Sequence, residues 1–272
     1  MLAVVIPARN AAPTIGAQLD ALGDDHPVIV VIDHAEVDAT EAIALARGAQ
    51  VVRSARTGIN AARNAGVRAT SADRIALCDA DDVVGPGWAK AMDTALDDHD
   101  VVCGRVDLAT LNTERIRSCH DLTEDAPIGA NMAFRRSVWD AIRGFDEAFL
   151  RGNDEIDFLQ AAEMAGFTFG RSDDAVVAYR LRDDWRQAMR VARWNMISKA
   201  QMRAKHGPPQ PWKAAARNAA IVASHTLSVS RCTTYEGRWR WLMDVARVAG
   251  TWDAWRQFRI VTSAPEPRPR PT

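Results

Sequence analysis

The amino-terminal third of the chain alternates short apolar runs with stretches of helical periodicity. Runs rich in β-branched residues at 3–6, 28–32, 50–53, 74–78 and 101–103 predict strands. Between them, apolar positions recur at helical spacing over 13–22, 38–47, 59–69 and 86–96. Strands that are apolar at consecutive positions are covered on both faces. Their alternation with helices therefore predicts βαβ units and a mostly parallel central sheet flanked by helices, an α/β fold. Pro13 suits the first turn of its helix, where its missing N–H would be unpaired anyway. Asp38 and Thr40 are candidate caps for the next helix.

Periodicity fades after residue 108, and 107–127 reads as a long loop. A strand is expected to resume at 130–135, followed by a short helix at 137–142, a helix at 154–165 and a last strand at 175–181. From Trp185 the pattern is helical to about Lys205, breaks at Gly207-Pro208-Pro209, and continues as two further helices. The expected layout is an α/β domain over 1–182, a helical extension over 183–262, and a Pro/Arg tail over 263–272 with no means of packing.

Composition changes this picture in one respect. The 272 residues are 47% hydrophobic and 25% charged, a globular balance, with a net charge of −1. The charge is divided, however: from Trp185 onward there are 16 Lys and Arg against 4 Asp and Glu, leaving an acidic first part and a basic second one. Such a split suggests different partners: a cation for the acidic part, and anionic lipid, an anionic acceptor or the acidic part itself for the basic one. No nucleic-acid partner is expected. Cys78, Cys103, Cys119 and Cys232 have neither CxxC pairing nor metal-ligand spacing, which fits reduced cysteines in a cytoplasmic protein. Met1 leads straight into an apolar run ended by Pro7 rather than into a signal-peptide pattern, and no stretch reaches the ~20 apolar residues of a bilayer span. The expected location is the cytoplasm, either in solution or on the inner face of the membrane.

Seven of the nine tryptophans fall at or after Trp185. Trp241, Val245, Val248, Trp252 and Trp255 form a stripe at helical spacing, so 236–260 reads as an amphipathic helix. Two uses remain open: contact with a membrane surface, or packing on its own domain or a second subunit.

Ligands of parallel α/β sheets gather at the carboxyl ends of strands. Polar clusters fall there in this chain: Pro7-Ala8-Arg9-Asn10, Asp33 with Asp38, and Asp79-Ala80-Asp81-Asp82, joined by Gly58 to Gly66 at the start of the third helix. The three carboxylates within 79–82 repel one another, and a hard divalent cation with oxygen ligands relieves that repulsion while holding phosphate oxygens. A solvated acidic turn is the plainer alternative.

Several ordered motifs resemble those of the family 2 inverting glycosyltransferases with the GT-A, or nucleotide-diphospho-sugar transferase, fold. They are Val5-Ile6-Pro7-Ala8-Arg9-Asn10, Val31-Ile32-Asp33, Ala62-Arg63-Asn64-Ala65-Gly66, Cys78-Asp79-Ala80-Asp81-Asp82, Gly129-Ala130-Asn131-Met132, Gly144-Phe145-Asp146-Glu147 and Asn153-Asp154-Glu155. The resemblance implies transfer of a sugar from a nucleotide-diphosphate donor to a hydroxyl on a glycan or lipid-linked acceptor. It places Asp33 and Arg63 on the nucleobase, Pro7, Ala8 and Arg9 beside it, and Asp79, Ala80 and Asp81 at ribose, diphosphate and metal. The metal would be Mn²⁺ or Mg²⁺, bound by Asp81 with Asp79. The general base is Glu155 or Asp154, with Glu155 matching by position. Trp88 and Asn131 are candidates for the sugar or acceptor, although Trp88 reads more readily as the cover of a helix–sheet junction. Two departures stand out: Arg9 where relatives often carry an aromatic residue, and Asp154-Glu155 in place of the usual Glu-Asp order. A non-catalytic nucleotide-sugar binder and a sugar-phosphate nucleotidyltransferase are the alternatives; the second lacks its Gly-rich phosphate loop here.

Overall fold

The computed structural model describes residues 1–149, 152–206 and 232–260, the side chains of 255 and 258–260 excepted. Its strands are β1 (Leu2–Ala8), β2 (Val28–Ile32), β3 (Gln50–Arg53), β4 (Arg74–Cys78), β5 (Val83–Val84), β6 (Val101–Asp107), β7 (Asn131–Arg135) and β8 (Phe169–Ala178). The helices are α1 (Ile15–Leu22), α2 (Thr40–Ala46), α3 (Ile59–Arg68), α4 (Trp88–Ala95), α5 (Glu114–Arg117), α6 (Arg136–Ile142), α7 (Asp154–Met164), α8 (Trp185–His206) and α9 (Tyr235–Ile260).

One sheet runs in the order β3-β2-β1-β4-β7-β6-β8-β5. Among the described residues, β1, β2, β3 and β4 pair in parallel, as do β6 and β8, while β7 is antiparallel to both β4 and β6. The fold is GT-A-like, with helices on both faces of the sheet. β1 shows why its sequence is apolar throughout. Leu2, Val4, Ile6 and Ala8 face a core shared with Ile15, Leu19, Trp88 and Met92, whereas Ala3 and Val5 face a second core with Ala62, Val67, Phe134 and Phe158. Gly66 lets α3 lie close on that second face: a Cβ there would overlap Val5 Cγ1 and stand 2.9 Å from Val31 Cγ2.

Three expectations need correction. The last strand begins at Phe169, not 175. Its polar first half pairs with β6 but has little cover, so only its end shows a buried pattern. The register slips between Gly104 and Arg105, which carries β6 on to Asp107. The expected loop at 107–127 contains α5, capped by Thr113 accepting the Ile116 N–H.

The chain divides into two compact units. The first comprises Met1–Asn112, Leu122–Leu150 and Asp154–Arg180, and the second Thr113–Asp121, Arg151–Asn153 and Leu181–Thr272. In the second, α9 buries Trp239, Met243, Ala246, Gly250 and Ala254, and Trp239 and Met243 pack with Ala188 and Cys119. A Cβ at Gly250 would overlap the Arg193 backbone of α8, so the two helices cross closely there. The stripe through Trp241, Val245, Val248 and Trp252 lies on the opposite side of α9 from this buried face. Val245 and Trp252 are exposed, Trp252 at 56%. The Trp255 side chain, the helix expected soon after the Gly-Pro-Pro break and the Pro/Arg tail lie outside the described residues. No described helix is long and apolar enough to cross a membrane.

Candidate active site

The loops after β1 and β2 are fastened to each other by acidic and hydroxyl side chains. Glu36 accepts the Asn10 N–H at 2.7 Å, Asp38 the Ala12 N–H at 3.0 Å, and Thr40 Oγ1 the Ala11 N–H at 2.8 Å. Asn10 holds a left-handed φ of 51° within this clasp, and its Oδ1 accepts the Val37 N–H. A hydrogen bond with Glu36, and then those from Thr40 and neighbouring amides, hold the Asp38 carboxyl well below the usual range. Pro7 and Ala8 end β1 beneath this clasp, and Arg9 projects from it half-exposed.

Asp33, 5% exposed, ties the loop after β2 to the start of α3. One oxygen accepts the Ala35 N–H and the other the Gly58 N–H, each at 2.9 Å, while Arg9 Nε lies 4.0 Å away. Gly58, at φ 128°, can present its N–H in this way because it has no Cβ.

Arg63, expected at the nucleobase, lies beneath the site at 2% exposure. Its Nη1 bonds Asp154, Nη2 is 3.7 Å from Asp79, and the guanidinium sits 5.5 Å from the centre of the Phe145 ring. Burial opposes its charge, but Asp154, Asp79 and Glu155 outweigh burial and raise its pKa. A Cβ at Gly129 would meet this guanidinium at 2.5 Å, so the Gly129 turn follows from Arg63's position. The same helix uses Asn60 and Asn64 as staples. Asn64 accepts from the Phe145 N–H and Trp139 Nε1 and donates to the Phe145 carbonyl, while Asn60 donates to the Asp146 carbonyl. The motifs at 62–66 and 144–147 are thus two halves of one contact.

β4 delivers Asp79, Ala80, Asp81 and Asp82 to the same edge. One carboxylate oxygen from each aspartate lies within 4.8 Å of the others. Asp81 is exposed, Asp79 partly so, and Ala80 and Asp82 are buried. Burial, then the charges of Asp79 and Asp81, push the Asp82 carboxyl well above its usual range. Asp154 and Glu155 open α7. Asp154 is taken up by Arg63, whereas Glu155 stays partly exposed and is pushed up to about 7 by burial and then by Asp154.

Trp88 and Asn131 belong to the core, which fits the junction-covering role expected for Trp88 and corrects the expected place of Asn131 at the sugar or acceptor. They are 1% and 0% exposed. Trp88 Nε1 donates to Asn131 Oδ1 at 2.7 Å, and Asn131 Nδ2 donates to the Arg105 and Ala175 carbonyls. Asn131 pairs with Cys78 across the β4–β7 register and holds the bulge of β6 against β8. Sequence reasoning also passed over Arg180, which touches the acidic turn through its N–H and its Nε. Only strand order brings it there.

A parallel half-sheet with an acidic turn after β4, an aspartate after β2 and a carboxylate pair opening α7 defines a GT-A-type transferase. The chain belongs to glycosyl transferase family 2, whose profile matches residues 3–157. It is a glycosyltransferase. None of the curated proteins matches it. Solved structures with the same fold include a mannosyltransferase from Pyrobaculum calidifontis in complex with GDP-Man and Mn²⁺, at 20% identity and TM-score 0.64, covering 93% of this chain and 86% of that one. Glucosyl-3-phosphoglycerate synthase from Mycobacterium tuberculosis, with Mn²⁺, UDP and phosphoglyceric acid, aligns at 20% identity and TM-score 0.59 over 77% of this chain and 80% of that one. TarS residues 1–349 from S. aureus aligns at 16% identity and TM-score 0.55 over 94% and 91%.

Proposed function

We propose that this glycosyltransferase moves a sugar, with inversion, from a nucleotide-diphosphate donor to a hydroxyl of a glycan or lipid-linked acceptor. The observation that carries this is the gathering of Asp79, Asp154 and Glu155 around the buried Arg63, with Asp81 beside Asp79 in the acidic turn. The acidic turn suits Mn²⁺ or Mg²⁺: its donors are all carboxylate oxygens, they lie close enough to share an ion, and Asp82 Oδ2 is buried without a hydrogen-bond partner. Asp81 and Asp79 would hold the cation, which when bound supplies positive charge to the diphosphate. The structural relatives from P. calidifontis and M. tuberculosis hold Mn²⁺, which favours this choice.

Glu155 is the general base. A half-buried carboxylate near neutrality accepts a proton from the acceptor hydroxyl, whose oxygen then forms a bond to the anomeric carbon as the bond to the diphosphate breaks. Asp154 is engaged by Arg63 and serves, with it, to position α7. Asp33 reads the base through lone pairs left by its two backbone bonds, and Arg9 and Pro7 flank it. A thermal-shift panel of nucleoside diphosphates with and without Mn²⁺ tests this reading. At least one should stabilise the wild type in a metal-dependent way, and Asp81→Asn should abolish transfer. Failure of every nucleotide to stabilise the protein would sink it.

The second unit supports an acceptor held at a membrane. Arg240 and Arg247 of α9 have acidic partners, whereas Arg238 and Arg256, which border the Val245–Trp252 side, have no ion pair among the described residues. An apolar stripe beside unspent cations suits the headgroup region of anionic lipid. Flotation with phosphatidylglycerol vesicles, lost in Arg238→Glu/Arg256→Glu, is the expected result; equal behaviour with phosphatidylcholine alone would count against it.

A further inference from the structure

β8 runs parallel to β6 and returns the chain to the edge where β4 presents its acidic turn, and its last residue, Ala178, pairs with Val83 just beyond that turn. Two residues later stands Arg180. Its backbone N–H donates to Asp82 Oδ1 at 2.7 Å, and its side-chain Nε donates to the Asp81 carbonyl at 3.0 Å. Root and elbow of this side chain are therefore fixed on the acidic turn itself. Its charge attracts the Asp82 carboxylate, but Arg180 is exposed and makes no ion pair among the described residues. The contact to Asp81 is to a carbonyl rather than a carboxylate, so both Nη groups remain available for another partner.

A guanidinium anchored through Nε presents its remaining N–H groups as a planar fork, a shape that matches two phosphate oxygens and that a lysine lacks. The acidic turn would repel a diphosphate unless cations compensate, and the diphosphate gains negative charge as its bond to the sugar breaks. We propose that Arg180 binds the diphosphate of the donor and stabilises it as the leaving group. This rests on the nucleotide-sugar reading of the site. The bond to the Asp81 carbonyl ties the arginine's position to that of the aspartate beside the phosphates, so the two would shift together.

The experiment compares wild type, Arg180→Gln and Arg180→Lys by calorimetry with UDP, UMP and uridine, and with GDP, GMP and guanosine, in Mn²⁺ and again in EDTA. Arg180→Gln is expected to weaken the preferred diphosphate ~10–100-fold, the range of a charge-assisted pair of hydrogen bonds, in EDTA as well as in Mn²⁺. Nucleoside affinity and the thermal midpoint should not change. Arg180→Lys should recover part of the loss, and with donor sugar kcat should fall further than KM rises. If Arg180→Gln weakens nucleoside and diphosphate equally, the residue only braces the turn, and the assignment falls. It falls likewise if diphosphate affinity is unchanged. If the wild type binds no diphosphate at all, both the assignment and the reading of the site fall; normal wild-type binding with an indifferent variant overturns the assignment alone.

Discussion

Arg63→Met removes the charge that holds two carboxylates beneath the site. The side chain is 2% exposed and Asp154 5%, so solvent can replace little of what is lost. Breaking a buried pair by deleting one partner costs ~3–5 kcal/mol, because the remaining charge stays buried without compensation. The guanidinium over Phe145 adds a smaller loss, of order 0.5–2 kcal/mol. Methionine keeps most of the volume, so the cost is electrostatic rather than that of a cavity. In a domain of this size the thermal midpoint should fall by roughly 6–20 °C. Urea denaturation of Arg63→Met, Asp154→Asn and the double variant would separate the terms. The double variant should be more stable than Arg63→Met, with a coupling of about 1–3 kcal/mol, since it removes the stranded charge as well. A loss below about 1 kcal/mol in Arg63→Met, or a double variant no better than the single, would refute the idea that Arg63 is the electrostatic keystone of the site.

Other outcomes follow from the same geometry. With Glu155 pushed up to about 7, the ionised base accumulates as pH rises through that value, so kcat/KM should climb below pH 7 and level off above it. Glu155→Gln should lower kcat ~10²–10⁴-fold, and an acid limb below pH 5 would exclude Glu155 as the base. The raised value also means that ionising Glu155 costs folded stability between the ordinary carboxylate range and about 7, so Glu155→Gln should be more stable than wild type above pH 7, by urea denaturation. Gly66→Ala should cost ~1–3 kcal/mol by forcing a methyl group against Val5 and Val31, with nucleotide affinity unchanged in calorimetry. Asn131→Ala should destabilise by ~2–5 kcal/mol, because it strands the Trp88 N–H and the Arg105 and Ala175 carbonyls, while KM for donor and acceptor stays put; a KM change without loss of stability would return Asn131 to the sugar site.

Much of the site was legible because strand ends announce themselves. The apolar run of β4 stops at three carboxylates, and that of β2 stops at Asp33, so a local pattern marks both the strand and the edge where ligands bind. The asparagines of α3 were visible as a motif but not as staples, since their partners at Phe145 and Asp146 lie more than 80 residues away. Arg180 carried no local signal at all. Its meaning depends on β8 lying parallel to β6 and ending beside the acidic turn.

From its sequence alone, this protein's alternation of strands and helices, the two-sided burial of its β1, its family motifs and the acidic turn after β4 could be read. These are properties of neighbouring residues: periodicity records which faces are covered, and charge density records where water or a cation must be. The tertiary structure alone decided what covers each face. It set β7 antiparallel between β4 and β6, put Trp88 and Asn131 in the core, turned one face of α9 inward, and brought Arg63 to Asp154 across 91 residues. Those choices depend on strand order and register, which are fixed by the sum of many distant contacts rather than by any one segment.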